Sequence, residues 1–223
     1  MGAVAQQRKS AVLMQKNLLI VFAKNKLFGK VKTRLAKTIG DQAAFEVYET
    51  LFHITERESC AVSNADVHVH YSHHIDEEAW VNCPKHVQIG ESLGDRMKNA
   101  FEASQQLGYS NIIGIGADLP EIKHEIIEQG FDALNENDFV FGPAEDGGYY
   151  MVGMSKSAGK YIFENKPWST TELLEVTKAE IAEKGDSVKF FQVLNDIDTI
   201  EDLEKSTISG EFLTLIQKAK ANK

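Results

Sequence analysis

Residues 18–37 read LLIVFAKNKLFGKVKTRLAK, an unbroken apolar run from Leu18 to Ala23 that empties into Lys24, Lys26, Lys30, Lys32, Arg34 and Lys37. Apolar character without alternation marks a strand buried on both faces, as in the middle of a parallel sheet. The first forty residues carry nine Lys/Arg and no Asp or Glu, although the 223-residue chain has a formal charge of −9. Residues 41–223 therefore hold 15 of the 24 bases and all 33 acids. A buried strand that delivers an unopposed cluster of cations suits a polyphosphate pocket. A solvated basic face is the other reading of such a run, and the downstream sequence must separate the two.

Length and composition, at 43% apolar and 26% charged, fit one soluble α/β domain with a sizeable core. The acidic body would repel a nucleic-acid backbone, so a small anionic ligand is expected and a nucleic-acid partner is not. Cys60 and Cys83 have no metal-ligand spacing and fit a reducing compartment. Residues 1–16 are expected to be a mobile leader, with Met14 as an alternative start, ahead of a single domain over 17–223. The chain contains no apolar segment long enough for a signal peptide or a membrane span, and a cytoplasmic protein is expected.

Strand-like and helix-like stretches alternate from Leu18 onward, which predicts a mostly parallel sheet covered by helices. Strands are expected at Leu18–Ala23, Val67–Tyr71, Val87–Ile89, Ile112–Gly116, Phe139–Gly142, Tyr149–Val152 and Phe190–Val193. Helical spacing places Ala44, Val47, Tyr48, Leu51 and Ile54 on one face of Asp41–Ser59, and Met97, Ala100, Phe101 and Leu107 on one face of Gly94–Leu107. Further helices are expected at Lys123–Leu134, Thr171–Lys184, Thr199–Lys205 (with Thr199 as N-cap) and Phe212–Ala221. Ligands of open α/β sheets gather at the carboxyl ends of the strands. The basic loop, Ala117–Pro120, Pro143–Gly148 and Asp196–Thr199 each follow a strand and would converge there.

The basic loop is neither a Walker A sequence nor a dinucleotide fingerprint, since Gly29 is its one glycine. Lysine can neutralise a phosphate as a point charge and arginine can grip one bidentately; Lys32 and Arg34 carry that expectation, with Lys24, Lys26 and Lys37 as solvated neighbours. Asp118, ahead of the chain-turning Pro120, reads as a magnesium ligand or as a helix cap. Asp196 and Asp198 share one face of an extended segment, where a divalent ion would relieve a repulsion of about 4 kcal/mol at an effective dielectric of ~20. The same string imitates a haloacid-dehalogenase nucleophile motif, but that motif follows a first strand and this one lies near the C-terminus. Gly147-Gly148 supplies either a hairpin turn or a close backbone approach to a ligand. Trp168-Ser169 offers an aromatic platform beside a hydroxyl, unless Ser169 or Thr170 only caps a helix. His68, His70, His73 and His74 lack a nearby acid or cysteine at ligand spacing and read as a solvated strand end rather than a zinc site.

Taken together, VFAKNKLFGKVKTRLA (21–36), GESLGDRM (90–97), IGADLP (115–120), FGPAEDGGYYMVG (141–153), PWST (167–170) and NDIDTIEDL (195–203) resemble a bacterial glycosyltransferase-like family with the nucleotide-diphospho-sugar transferase (GT-A) fold, often found beside radical-SAM and arsenosugar genes. That family is close in fold to phospholactate and molybdenum-cofactor nucleotidyltransferases. The resemblance implies a single-domain, three-layer α/β/α, Rossmann-like architecture. It implies nucleotide or donor contacts at Ala23, Lys30, Lys32 and Arg34, a base pocket at Gly90, Glu91 and Gly94, and an acceptor side at Gly147, Gly148, Trp168 and Ser169. Mg²⁺ or Mn²⁺ would be held by Asp118, Asp196 and Asp198, and Asp146 or Glu145 would act as base. Asp118 stands alone where the family fold usually has a D-x-D pair, Lys24 to Leu27 replace a more usual Arg-x-Pro run, and Ala117 replaces a common serine. The expected activity is a glycosyl transfer from a nucleotide sugar to a small-molecule acceptor. The alternatives are nucleotidyl transfer from a nucleoside triphosphate to a phosphorylated small molecule, and a non-catalytic nucleotide-binding regulator.

Overall fold

A computed structural model describes residues 16–221, so the expected leader lies, but for Lys16, outside the described residues. The apolar run becomes β1 (Asn17–Ala23), whose Leu18, Leu19, Ile20 and Val21 are fully buried. Double-sided burial requires a neighbour on each edge and a layer on each face. Accordingly, β1 lies parallel to β2 (Asp66–Tyr71) and to β4 (Asn111–Gly116), with Ala23 opposite Tyr71 and Phe22 opposite Gly116. Adding β3 (Lys85–Val87), β5 (Phe139–Pro143), β6 (Tyr149–Met154) and β7 (Val188–Phe190) gives a seven-stranded sheet in the order β3-β2-β1-β4-β6-β5-β7. Only β6 runs against its neighbours β4 and β5; every other pairing is parallel.

Two core layers cover the sheet. Leu19, Val21 and Ala23 join the face packed by α1 (Thr33–Ile39), α2 (Asp41–Ala61), α4 (His124–Ala133), α6 (Ile200–Lys205) and α7 (Leu213–Ala221). Leu18 and Ile20 join the opposite face, packed by α3 (Leu93–Gln106), α5 (Leu173–Lys184) and a 3-10 turn at Lys160–Phe163. The expected three-layer α/β/α class is therefore found. The residues predicted to face inward from α2 are buried, as are Met97, Ala100 and Phe101 of α3. Leu107 is not: it stands past the end of α3 and is 63% exposed.

Three other expectations shift. The third strand sits two residues earlier than expected, because its partner β2 ends at Tyr71, opposite Val87, and Ile89 beyond that pair is 75% exposed. The last strand ends at Phe190, opposite Phe141, and Val193 is out in solvent. His68 and His70 are not a solvated strand end: both are buried, because the rings of His86, Phe22 and Tyr109 pack against them. Burial, with His86 and His68 nearby, pulls the His70 imidazole down to about 3. No helix among the described residues is long and apolar enough to cross a membrane.

Candidate functional site

Strand direction decides where the site can form. The chain leaves β1, β4 and β5 at one edge of the sheet, and a cleft of about 330 Å³ opens there. One wall is charged, with Lys24, Arg34, Asp118, Asp146 and Asp196; the other is apolar, with Phe22, Leu93, Met97, Tyr149 and Trp168. Pro120 sends the chain off the sheet as expected, and α4 begins only after Lys123, so Asp118 is not its cap. The Asp118 carbonyl instead accepts from the Ile197 N–H at 3.5 Å, which ties the loop after β4 to the segment before α6. In that segment Thr199 takes the N-cap and forms a capping box with Asp202, leaving the Asp198 carboxylate available to the site.

Lys32 lies at the centre of these charges. It stands at the N-terminus of α1 in the left-handed region, φ 46, a conformation that costs a non-glycine residue about 1 kcal/mol or more. Its ammonium is 3.4 Å from Asp118 Oδ2 and 3.4 Å from Asp198 Oδ1, and the side chain is only 4% exposed. Arg34 approaches Asp198 Oδ2 at 2.6 Å but remains 69% exposed, with its guanidinium at the cleft mouth. Burial acts to raise the Asp118 carboxyl, yet the ammonium groups of Lys32 and Lys24 hold it below its ordinary value. Asp196 goes the other way. Burial, then the carboxylates of Asp118, Asp146 and Asp198, push it up to about 6 against the pull of Lys32.

The glycines expected at the site are explained by packing. Gly147 has φ 86, and a Cβ there would come within 2.2 Å of the Thr171 carbonyl, so the β5–β6 turn admits only glycine. Its carbonyl accepts from Leu174 N–H at 3.0 Å, which docks the turn on the start of α5. Gly148 lies on the cleft wall, its N–H donating to Asp146 Oδ1 at 2.8 Å. Gly94 is a seat for Trp168, whose Nε1 lies 2.4 Å from where a Cβ would be. Trp168 in turn meets the Tyr149 ring edge-on at 6.2 Å. Ser169 lines the cleft with φ 64 and is no cap; the cap position of α5 falls to Glu172, whose N–H donates to the Thr170 hydroxyl at 3.3 Å, so Thr170 does serve the start of that helix.

Several expected residues stand off the cleft wall. Ala23 is buried and its carbonyl accepts from Ser72 N–H at 3.0 Å. Lys30 is exposed on the loop before α1. Gly90 is fixed by Arg96 Nε donating to its carbonyl at 3.1 Å, beside exposed Glu91. Glu145 is exposed while its neighbour Asp146 faces the cleft. Lys24 is exposed, as the sequence reading has it, and also lines the cleft; its place directly after the strand end was the available signal. Lys26 points elsewhere, 3.7 Å from Asp76 and above the Phe52 ring. The apolar wall from α3 was legible only as helix core.

Among the described residues, two triplets have potential ligand atoms all within 4.8 Å of one another, His68/His70/His86 and Glu58/His124/Glu125. Asp118, Asp196 and Asp198 are not such a closed triplet. Their donor set is nonetheless all hard oxygen, and the position shared by Asp118 and Asp198 already holds the Lys32 cation. That chemistry fits Mg²⁺ or Mn²⁺, which complete their shells with water and phosphate oxygens.

Comparison with solved structures gives a consistent picture. The chain is similar to a candidate nucleotide-diphospho-sugar transferase from Desulfovibrio desulfuricans G20, with 25% identity, 92% of this chain and 99% of that chain covered, and a TM-score of 0.83. It shares its fold with CMP:2-keto-3-deoxy-manno-octonic acid synthetase complexed with CTP, at 13% identity over 90% and 99% of the two chains and a TM-score of 0.56. It likewise matches 4-diphosphocytidyl-2C-methyl-D-erythritol synthase from Anaerococcus prevotii DSM 20548, at 13% identity over 88% and 99% and a TM-score of 0.55. At such identity the last two likenesses concern fold alone. No curated protein matches the chain. Residues 55–170, just over half of the chain, match the family described as uncharacterized protein conserved in bacteria (DUF2064), and the chain belongs to that family.

Proposed function

We propose that this chain is a transferase that uses a nucleotide-activated donor together with Mg²⁺ or Mn²⁺, and that the donor is a nucleotide-diphospho-sugar. One observation carries the reading: four aspartates, Asp118, Asp146, Asp196 and Asp198, gather on Lys24, Lys32 and Arg34, and burial together with the other three carboxylates pushes Asp196 up to about 6. A site with more carboxylate than its own cations neutralise is one that a divalent ion completes. Likeness to the Desulfovibrio protein supports the donor class.

In this reading Arg34 and Lys24, at the mouth, draw in and hold the diphosphate, the guanidinium as a fork and the ammonium as a point charge. Lys32 holds the carboxylates in place from below. Gly90, Glu91 and Gly94 lie along the segment leading into α3 and would bound the base, while Phe22, Tyr149 and Trp168 give the sugar and acceptor an apolar wall. Asp146, with Oδ1 fixed by the Gly148 N–H, would take the acceptor proton. A divalent ion at Asp118, Asp196 and Asp198 would supply Lewis-acid stabilisation of charge on the leaving diphosphate.

The test is calorimetric titration of nucleotide sugars and nucleoside triphosphates with and without Mn²⁺, followed by product analysis. Metal-dependent binding of a nucleotide sugar, lost in Asp118→Asn, is expected, with a nucleoside diphosphate as product. Release of pyrophosphate from a triphosphate would instead assign nucleotidyl transfer. Binding with no turnover of any donor would leave a regulator, and binding indifferent to both metal and Asp118 would sink the site assignment.

A further inference from the structure

His68 and His70 are two apart on β2 and project to the same face of the sheet. The parallel register sets His86 of β3 directly opposite His70, one strand spacing away. The His86 ring consequently sits against both, with centroids 4.8 Å from His70 and 5.3 Å from His68. Each ring contributes a nitrogen to a triplet lying within 4.8 Å of one another. Among the described residues no hydrogen bond reaches a ring nitrogen of the three, and the nitrogens of His68 and His70 are not sealed from solvent although the residues are only 8% exposed. Their orientation is set by carbon contacts instead: His68 meets Tyr109 edge-on at 5.7 Å and His70 leans on Phe22 at 5.8 Å.

We propose that His68, His70 and His86 form a binding site for a borderline divalent transition metal of the Zn²⁺ class, separate from the acidic cleft. Three imidazoles and no carboxylate select zinc, nickel or copper over magnesium or calcium. Nitrogens sharing a zinc ion at ~2.0–2.1 Å lie roughly 3.4 Å apart, so side-chain adjustments of about 1 Å close the site. Asp66 is the next residue on this face, but its Oδ2 already accepts from Tyr109 Oη at 2.7 Å and pairs with Lys16 at 3.3 Å. Asp66 also lies outside the close triplet, and the fourth position opens to water beside exposed His86. The second close triplet is different in kind: Glu58 is already held by Arg57, Lys123 and His124 and has no charge left for an ion.

Such an ion would staple β3, a strand of only three residues, to β2. The segment directly after β3 carries Gly90 and Glu91 into α3, whose Leu93 and Met97 line the cleft. None of the three histidines lines the cleft, and Phe22, which touches His70, is on its wall.

Calorimetric titration of the chelator-treated full chain with Zn²⁺ at pH 7.5, without nucleotide, tests the site. One zinc per chain is expected, together with a rise in melting temperature and, with Co²⁺ as probe, the visible bands of a nitrogen-ligated four-coordinate ion. His86→Ala and the size-conserving His86→Gln should each weaken Zn²⁺ by more than roughly tenfold and remove the melting shift, whereas Asp118→Asn should keep both. No zinc uptake, affinity unchanged in both His86 variants, or affinity lost instead in Asp118→Asn or His74→Ala would overturn the proposal.

Discussion

Two clusters of acid and base sit inside this molecule, and they are built on opposite principles. Glu58, on α2, is nearly buried, and its two oxygens receive Arg57 at 2.8 Å, Lys123 at 3.3 Å, and both the ring and the backbone N–H of His124. Burial opposes ionisation there, but those partners outweigh it and bring the carboxyl down to about 2. In the cleft Lys32 stands 3.4 Å from both Asp118 and Asp198, Arg34 serves only Asp198, and Asp196, with no ion pair among the described residues, is left above its ordinary value. A saturated cluster stabilises a fold and has nothing left to bind with. An unsaturated one costs stability until a ligand supplies the missing charge.

Asp118→Asn is the harshest test of that contrast. It removes the carboxylate that Lys32 and Lys24 hold ionised, and metal-dependent nucleotide affinity should fall by more than roughly 100-fold while urea unfolding changes little. Glu58→Gln should do the reverse. It leaves Arg57 and Lys123 beside a neutral group and, since both cations are more than half exposed, should cost about 1 kcal/mol of stability, with nucleotide affinity intact in the folded fraction. If both variants lost binding and stability together, the two clusters would not differ in kind.

A smaller effect is expected from Gly94→Ala. The added methyl would collide with Trp168 Nε1 and with the Phe163 carbonyl, 2.7 Å from the Cβ position. Overpacking of this sort costs about 1–3 kcal/mol, and because Trp168 lines the cleft, donor affinity should drop with it. A loss of stability with unchanged affinity would show that the tryptophan platform is not part of the site.

The contrast also explains what could be read from the chain. Strands, most helices and the four convergent loops follow from local pattern, since burial on both faces of β1 is written in Leu18–Ala23 and the turn at Gly147 in its neighbours. Asp118, Asp196 and Asp198 were legible because each follows a strand end and the sheet rule brings such ends together. Glu58 was not, because its partners Lys123 and His124 arrive from 65 and 66 residues away on another helix. His86 was missed for the same reason: a strand register, invisible in spacing, carries it to His70. Lys32 was assigned to phosphate from its charge and from the family resemblance; its burial and its two aspartate contacts were not legible, because Asp118 and Asp198 are 86 and 166 residues away.

The smallest effect has the most specific sign. Asp196 binds its proton more tightly in the folded chain, at about 6, than in an unfolded one, where an aspartate titrates near ~3.9. Its protonated form therefore contributes stability that is fully present below pH ~4 and lost as pH rises through about 6. Asp196→Asn cannot ionise and keeps that contribution throughout. With the cleft open to water, the variant should be more stable than the parent by about 1–2 kcal/mol at pH 7.5 and equal to it near pH 4, in urea melts with chelator present. Glu58 has the opposite sign, its contribution present above pH 4.5 and lost only as pH falls towards about 2, so it does not blur the window from 4.5 to 6. Adding Mn²⁺ should invert the ranking at pH 7.5, because the ion stabilises the parent and not the variant. Equal stability of the two proteins at pH 7.5 without metal would mean that the three aspartates do not strain one another, and the cleft would then be as saturated as the cluster around Glu58.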